Sequence, residues 1–329
     1  MATKKGPRHW REILRDRSSN YRRAKRELSQ RFLGVPVRGN AIRDVKVAPD
    51  ILANLVAIGV AEKRSDRVLQ DHPAITFYVK EKVPRSMLTR RMTLPRTIDG
   101  LTCDVVACGR TRPALGEPPG STMIDPPGPG AQIQVPGANP GTLGAIIRDG
   151  NGNACLISNC HVLSGDLASG VGMPVFQPQL SAIGSREIAT VTQVIPLRDQ
   201  HTNWADVAIA RLTAEASAEI PSVGFLTGVG EPEDGMPVVK YGFRTGLQEA
   251  FLESIDTDFQ QAYGLRNMRF KEVHVYLGDG FADLGDSGSV IVDATTRQAV
   301  GLFFATGQGL HFSIPMSSIA RELPDLIWA

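Results

Sequence analysis

The sequence predicts a mainly β chain whose β part fills its second half, and three observations predict it. Short apolar runs recur at 143–147, 154–158, 188–195, 207–212, 237–241, 270–276, 290–292 and 299–305, set off by Gly, Asp, Asn or Pro turns. That spacing fits barrels or sandwiches and not βαβ units. Ahead of these runs, residues 113–140 carry eight of the chain's 22 prolines and many glycines, a composition that stays extended and builds no core. At the N-terminus, Trp10, Ile13, Leu14, Tyr21, Ala24, Leu28 and Phe32 fall mostly at three- or four-residue steps, the period of a helix.

The bulk properties bound the rest. A chain of 329 residues has room for two or three domains and a sizeable core, and 42% hydrophobic with 21% charged residues is ordinary for a globular protein. No apolar run reaches membrane-spanning length, and the basic N-terminus lacks the apolar stretch of a signal peptide, so a cytoplasmic location is expected. Cys103/Cys108 and Cys155/Cys160 are each five apart within strand-like stretches. Five strand residues span about 16 Å, too far for a disulfide within either pair, and reduced thiols are expected.

Taken in order, residues 1–35 form a basic, largely helical arm. Eleven Lys or Arg stand against three acids in residues 1–32, although the whole chain is only +2. Ser18-Ser19-Asn20 is a point where the helix could divide, and Gly34 and Pro36 are its stop signals. The arm has two readings: a site for nucleic acid, anionic lipid or an acidic partner, and a helix docked on the chain's own acidic body or on a neighbouring subunit. The second is preferred. Residues 36–112 read as a small α+β domain, with a short helix within 47–55, strands at 55–60, 74–79 and 101–108, and a helical turn near Pro84. His72 reads as a surface residue. Residues 113–130 are the linker, and 131–329 form the last domain, with a short helix at 316–323.

The chemistry gathers in three places. Gly285-Asp286-Ser287-Gly288-Ser289 precedes the apolar run 290–292. A glycine at 285 permits a sharp turn that aims the Gly285 and Ser287 amides at one point, the arrangement an oxyanion hole needs. The Ser287 hydroxyl requires a base. His161 stands where a buried strand ends, and Asp206 stands at the start of an apolar strand, where an unpaired carboxylate is costly. Each has a plainer reading: a surface turn, a strand-end histidine, a turn acid. All three in the order His, Asp, Ser, each with its flank, weigh against coincidence. Cys155, Cys160 and His161 have the wrong spacing for a tetrahedral zinc set, and no metal or cofactor is expected.

These stretches resemble the chymotrypsin-fold serine peptidases. The resemblance rests on Gly141-Thr142-Leu143-Gly144, on 156–163 around His161, on Ala205-Asp206-Val207-Ala208 and on Gly285-Asp286-Ser287-Gly288. It is nearest to the intracellular high-temperature-requirement type without a PDZ domain, and more narrowly to bacterial trypsin-like peptidases of the plant narrow-leaf protein type. That narrower likeness adds 57–60, 235–240 and 244–247, departs at Ile157 and at Gln248-Glu249-Ala250, and leaves the arm uncovered.

The resemblance implies two six-stranded antiparallel barrels, about 131–228 and 229–315, and a serine endopeptidase acting on protein or peptide substrates. Ser287 would be the nucleophile, His161 the base and Asp206 its partner, with Gly285 and Ser287 amides as the oxyanion hole. It also implies a specificity pocket with Phe281 at its floor and Phe304, Ala305 and Thr306 as its wall. A floor without an acid favours small or medium apolar side chains before the cut, unless Asp283 turns inward. No activation site is evident, so either Asp286 needs a partner other than a freed N-terminus or the protein is always competent. Relatives of this type are commonly controlled through oligomers. The competing reading is a peptidase-fold scaffold that acts through its arm and N-terminal domain.

Overall fold

A computed structural model describes residues 19–34, 54–65, 68–84, 87–88, 93–108, 112–113, 122–278, 280–307 and 309–328. The first half of the expected arm and the expected helix within 47–55 lie outside these residues. Helix α1 (Asn20–Leu33) starts where the Ser19 hydroxyl accepts from the Arg22 amide, and ends at Gly34 in the left-handed conformation. Its apolar face, Ala24, Leu28, Phe32 and Leu33, packs on β1 (Leu55–Ser65) and β2 (Val68–Val79), with Phe32 edge-on to Phe77. Its basic residues Arg22 and Lys25 point inward as well. Arg22 Nη1 lies 2.7 Å from Asp256 Oδ2, and Lys25 Nζ lies 2.8 Å from Asp258 Oδ1. For the described half of the arm, the docked reading is the one the structure contains.

β3 (Thr97–Ile98) pairs with β4 (Leu101–Ala107), β4 runs parallel to β2, and β2 is antiparallel to β1. The short β5 (Arg112–Pro113) follows. The first β unit then contains β6 (Gln132–Ile133), β7 (Gly141–Thr142), β8 (Ala145–Arg148), β9 (Ala154–Ser158), the helical turn α2 (Cys160–Leu163), β10 (Pro174–Gln177), β11 (Arg186–Val194), β12 (Thr202–Asn203) and β13 (Ala208–Leu212). Strands β10, β11, β13, β9 and β8 lie side by side; β6 pairs with β7, and Gln134 bridges Phe176 of β10, which brings the two edges round toward each other. Residues 131–135 are not coreless. Ala131, Ile133 and Val135 are fully buried with Leu156, Val162 and Ile188. Their two-residue period turns these apolar side chains inward despite the surrounding prolines and glycines.

The second unit contains β14 (Pro237–Gly242), β15 (Gly246–Tyr263), β16 (Arg266–Leu277), β17 (Val290–Asp293), β18 (Ala299–Gly307) and β19 (Leu310–Pro315). Their antiparallel pairings run β14–β15–β16–β19–β18–β17 and return to β14, a closed ring of six strands. Helix α3 (Met316–Glu322) and β20 (Ile327–Trp328), which pairs with β8, end the chain. The N-terminal strands do not form a sheet of their own. β1 pairs with β15 at Ala57/Phe259 and Ile58/Asp258, and β5 pairs with β18. The mainly β reading holds.

Candidate active site

β9 and β13 are antiparallel with Ser158 opposite Ala208. Extending that register beyond its last pair sets residue 206 against residue 160, so the turn that follows β9 carries His161 to Asp206. His161 Nδ1 lies 2.6 Å from Asp206 Oδ2, and the His161 amide donates to Asp206 Oδ1 at 3.2 Å. The Tyr263 hydroxyl donates to Oδ2 at 3.0 Å, and Asn159 Nδ2 donates to the Asp206 carbonyl at 2.8 Å. Burial, and then the Asp206 carboxylate, push the Tyr263 phenol well above its usual range, so it stays a donor. An ionised carboxylate only accepts, so a ring N–H at Nδ1 is what the contact calls for, and it turns Nε2 away from Asp206. Nε2 is buried and, among the described residues, has no hydrogen-bond partner.

Ser287 sits in the turn before β17, on the other β unit. The GTLG stretch joins the two. Thr142 N donates to the Ser287 carbonyl at 2.7 Å, and Thr142 Oγ1 donates to the Gly285 carbonyl at 3.0 Å. A Cβ at Gly141 would lie 2.4 Å from Val162 Cγ2 and 2.9 Å from the Ser287 carbonyl; one at Gly144 would lie 2.2 Å from the Gly288 carbonyl. Glycine at 141 and 144 therefore lets the Ser287 turn approach the His161 turn through bare backbone. Within the Ser287 turn, the Asp286 amide donates to Asp283 O at 3.1 Å. Among the described residues, the amides on either side of it, Gly285 N and Ser287 N, donate to no protein acceptor. The Ser287 hydroxyl is not on Nε2. It is fully buried and reaches the Phe304 carbonyl at 3.4 Å.

The partner of Asp286 is Lys240. Their side chains are wholly buried, Nζ lies 2.9 Å from Oδ2, and Thr245 Oγ1 with the amides of Asp283, Arg244 and Thr245 complete the shell. Sequence reading gave Lys240 no role. Its signal was a lone cation in phase with Val238 and Gly242, the inward residues of an otherwise apolar strand. Tyr263 carried no such signal, because it ends a strand that periodicity did not show.

The expected specificity residues lie in different surroundings. Phe281 is fully buried with Tyr276, Ile291 and Phe303, with His311 edge-on at 5.3 Å. Phe304 and Ala305 pack in another cluster, with Phe259, Phe270 and Phe312. Thr306 is half-buried, with Oγ1 2.9 Å from His311 Nδ1. Asp283 is turned outward, its carboxylate 3.9 Å from Arg244 Nε. All four cysteines are buried and none is in a disulfide, and burial pushes the Cys103 and Cys108 thiols up to about 11 and about 12. Among the described residues no group of His, Cys, Asp or Glu could hold a metal ion, and no helix is long and apolar enough to cross a membrane.

No protein-family model matches the chain, and no curated protein is significantly similar to it in sequence. Solved structures do show a likeness. Nocardiopsis protease is 15% identical with a TM-score of 0.44, over 61% of this chain and 97% of that one. Thermobifida fusca protease A is 18% identical with a TM-score of 0.43, over 61% and 98%. Cellulomonas bogoriensis chymotrypsin is 17% identical with a TM-score of 0.43, over 61% and 97%.

Proposed function

We propose that the chain is a serine endopeptidase of the chymotrypsin type, most akin to the trypsin-like peptidases named above, acting on protein or peptide substrates in limited proteolysis. The observation that carries the reading is the buried 2.6 Å His161–Asp206 pair with a free Nε2, joined through Thr142 to a serine turn with two uncommitted amides. In the reaction the Ser287 hydroxyl leaves the Phe304 carbonyl for Nε2. The oxygen then attacks the peptide carbonyl as His161 takes the proton, and the oxyanion falls to Gly285 N and Ser287 N. His161 returns the proton to the leaving amine, and water repeats the sequence to free the acyl group. Asp206, steadied by Tyr263 and Asn159, fixes the tautomer. Buried cysteines outside any disulfide suit a reducing compartment such as the cytoplasm.

With Phe281 at the expected floor and Asp283 directed to Arg244, apolar side chains before the cut are favoured over Lys or Arg. The domain limits read from the sequence belong to this proposal too, with 131–329 as the catalytic part. The resting position of the Ser287 hydroxyl favours the second reading, a scaffold with the fold but no turnover. A fluorophosphonate probe separates them. Labelling at Ser287, lost in Ser287→Ala and in His161→Ala, is expected; Asp206→Asn should lower kcat by about 10⁴. A Ser287→Ala chain that still cleaves peptides sinks the peptidase reading.

A further inference from the structure

β18 is paired along one side by β19, from Gly301/Pro315 to Gly307/Leu310. Its other side is covered in sequence by a series of partners. β17 pairs as far as Val290/Leu302. Phe303 then exchanges hydrogen bonds with Gly288 and Ser289, and the Phe304 carbonyl meets the Ser287 hydroxyl. There the serine turn leaves the sheet, and Ala305 and Thr306 would present an open edge beside the nucleophile. They do not, because β5 takes it: Pro113 stands opposite Ala305, and Arg112 opposite Thr306, in antiparallel register. From Arg112 to Pro113 the chain travels from Thr306 toward Ala305, which is toward Ser287.

We propose that the chain's own Arg112–Pro113 segment is a resident occupant of this edge of β18, held there in competition with any extended peptide that comes to Ser287. This rests on the proposed peptidase reading for its meaning, since it makes β5 a regulator of that site; the docking itself does not need catalysis. An unpaired strand edge recruits a strand through its backbone groups, with little demand on side chains. The N-terminal strands anchor the occupant at close range, because β1 is paired into the same sheet through β15. A tether of this kind holds a weak strand at a local concentration in the millimolar range, so the resident wins over free peptide without binding tightly. Proline at 113 suits an edge position, where no ladder N–H is required of it. Fully buried Ser287 is what an occupied edge would produce.

Disulfide trapping tests the docking. Opposed residues in an antiparallel pair have Cα atoms about 4.5–5.5 Å apart, within reach of a disulfide. The full-length Arg112→Cys, Thr306→Cys double variant should cross-link under mild oxidation, whereas each single variant should not. A synthetic fluorescein-labelled peptide of residues 109–117 should bind the reduced double variant at least about tenfold more tightly than the oxidised one, and do so equally in a Ser287→Ala background. A full-length chain with residues 109–116 exchanged for alternating glycine and serine should be labelled by fluorophosphonate about tenfold faster than the native chain. Absence of the cross-link, or peptide binding indifferent to oxidation, overturns the proposal. Loss of labelling in every chain, with cross-link and binding intact, would overturn only the peptidase reading.

Discussion

At the scale of single residues, the site depends on charges that are stable only in pairs. Asp286 adjoins Ser287, and its carboxylate organises the backbone from Asp283 to Thr245 through amide and hydroxyl donors. Lys240 balances that carboxylate where neither side chain meets water. Removing one member of such a pair leaves an uncompensated buried charge, which costs about 3–5 kcal/mol. Lys240→Met should therefore lower unfolding stability by that amount in urea titrations, and should lower Ser287 labelling as the turn loosens. Adding Asp286→Asn to Lys240→Met should restore much of the stability, because the charge is then gone. If Lys240→Met is as stable as the native chain, the pair does not hold the turn. Asp206 is different. Its carboxylate is met by the His161 ring, the His161 amide and the Tyr263 hydroxyl, with no Lys or Arg among those partners.

At the scale of elements, what periodicity could show depended on how regular each strand is. The runs at 154–158, 237–241, 270–276 and 299–305 all lie within strands, because each is short or evenly buried. The longest strand, β15, was not legible. It is rich in Asp, Glu and Gln, and its register against β16 shifts at three places between Leu252 and Phe259. Each shift breaks the two-residue alternation on which a strand is recognised. His161, Asp206 and Ser287 could be singled out because their flanks are local; Lys240 and Tyr263 could not, because their partners are brought by the ring. The arm could be read from its charge: a basic helix beside an otherwise acidic chain favoured docking on that chain, and Arg22 and Lys25 face Asp256 and Asp258 of β15.

Helix α1 is thus part of the packed structure. Leu28→Ala should cost about 2–5 kcal/mol in chemical denaturation, while Arg23→Ala on the exposed face should stay within about 0.5 kcal/mol. Equal effects would place the helix off the body.

At the scale of the whole molecule, the N-terminal hairpin and the ring are one sheet, and the junction carries a titratable tie. Arg64 of β1 reaches Glu253 of β15, with Nη2 2.8 Å from Oε1. Burial pushes the Glu253 carboxyl up to about 7, with Glu62 and Asp234 adding to the rise and Arg64 opposing it. A carboxyl whose pKa is raised on folding binds its proton more tightly in the folded chain. Its contribution is complete below the unfolded value near 4.5 and is lost as pH climbs through about 7. The loss amounts to about 3 kcal/mol at most. His274, buried and lowered to about 3, works in the opposite sense. Its unfolded form takes up a proton below about 6.5, so stability from this group rises with pH up to that point. The two slopes oppose each other between the unfolded values of Glu and His, and the native profile alone does not separate them. Comparing the native chain with Glu253→Gln does. The stability difference between them should change by about 3 kcal/mol between pH 4 and pH 8, in favour of the glutamine chain at the higher pH. A difference that is constant across that range would mean that Glu253 keeps an ordinary carboxyl pKa, and that the hairpin is joined to the ring by a permanent ion pair instead of one that forms as the pH rises.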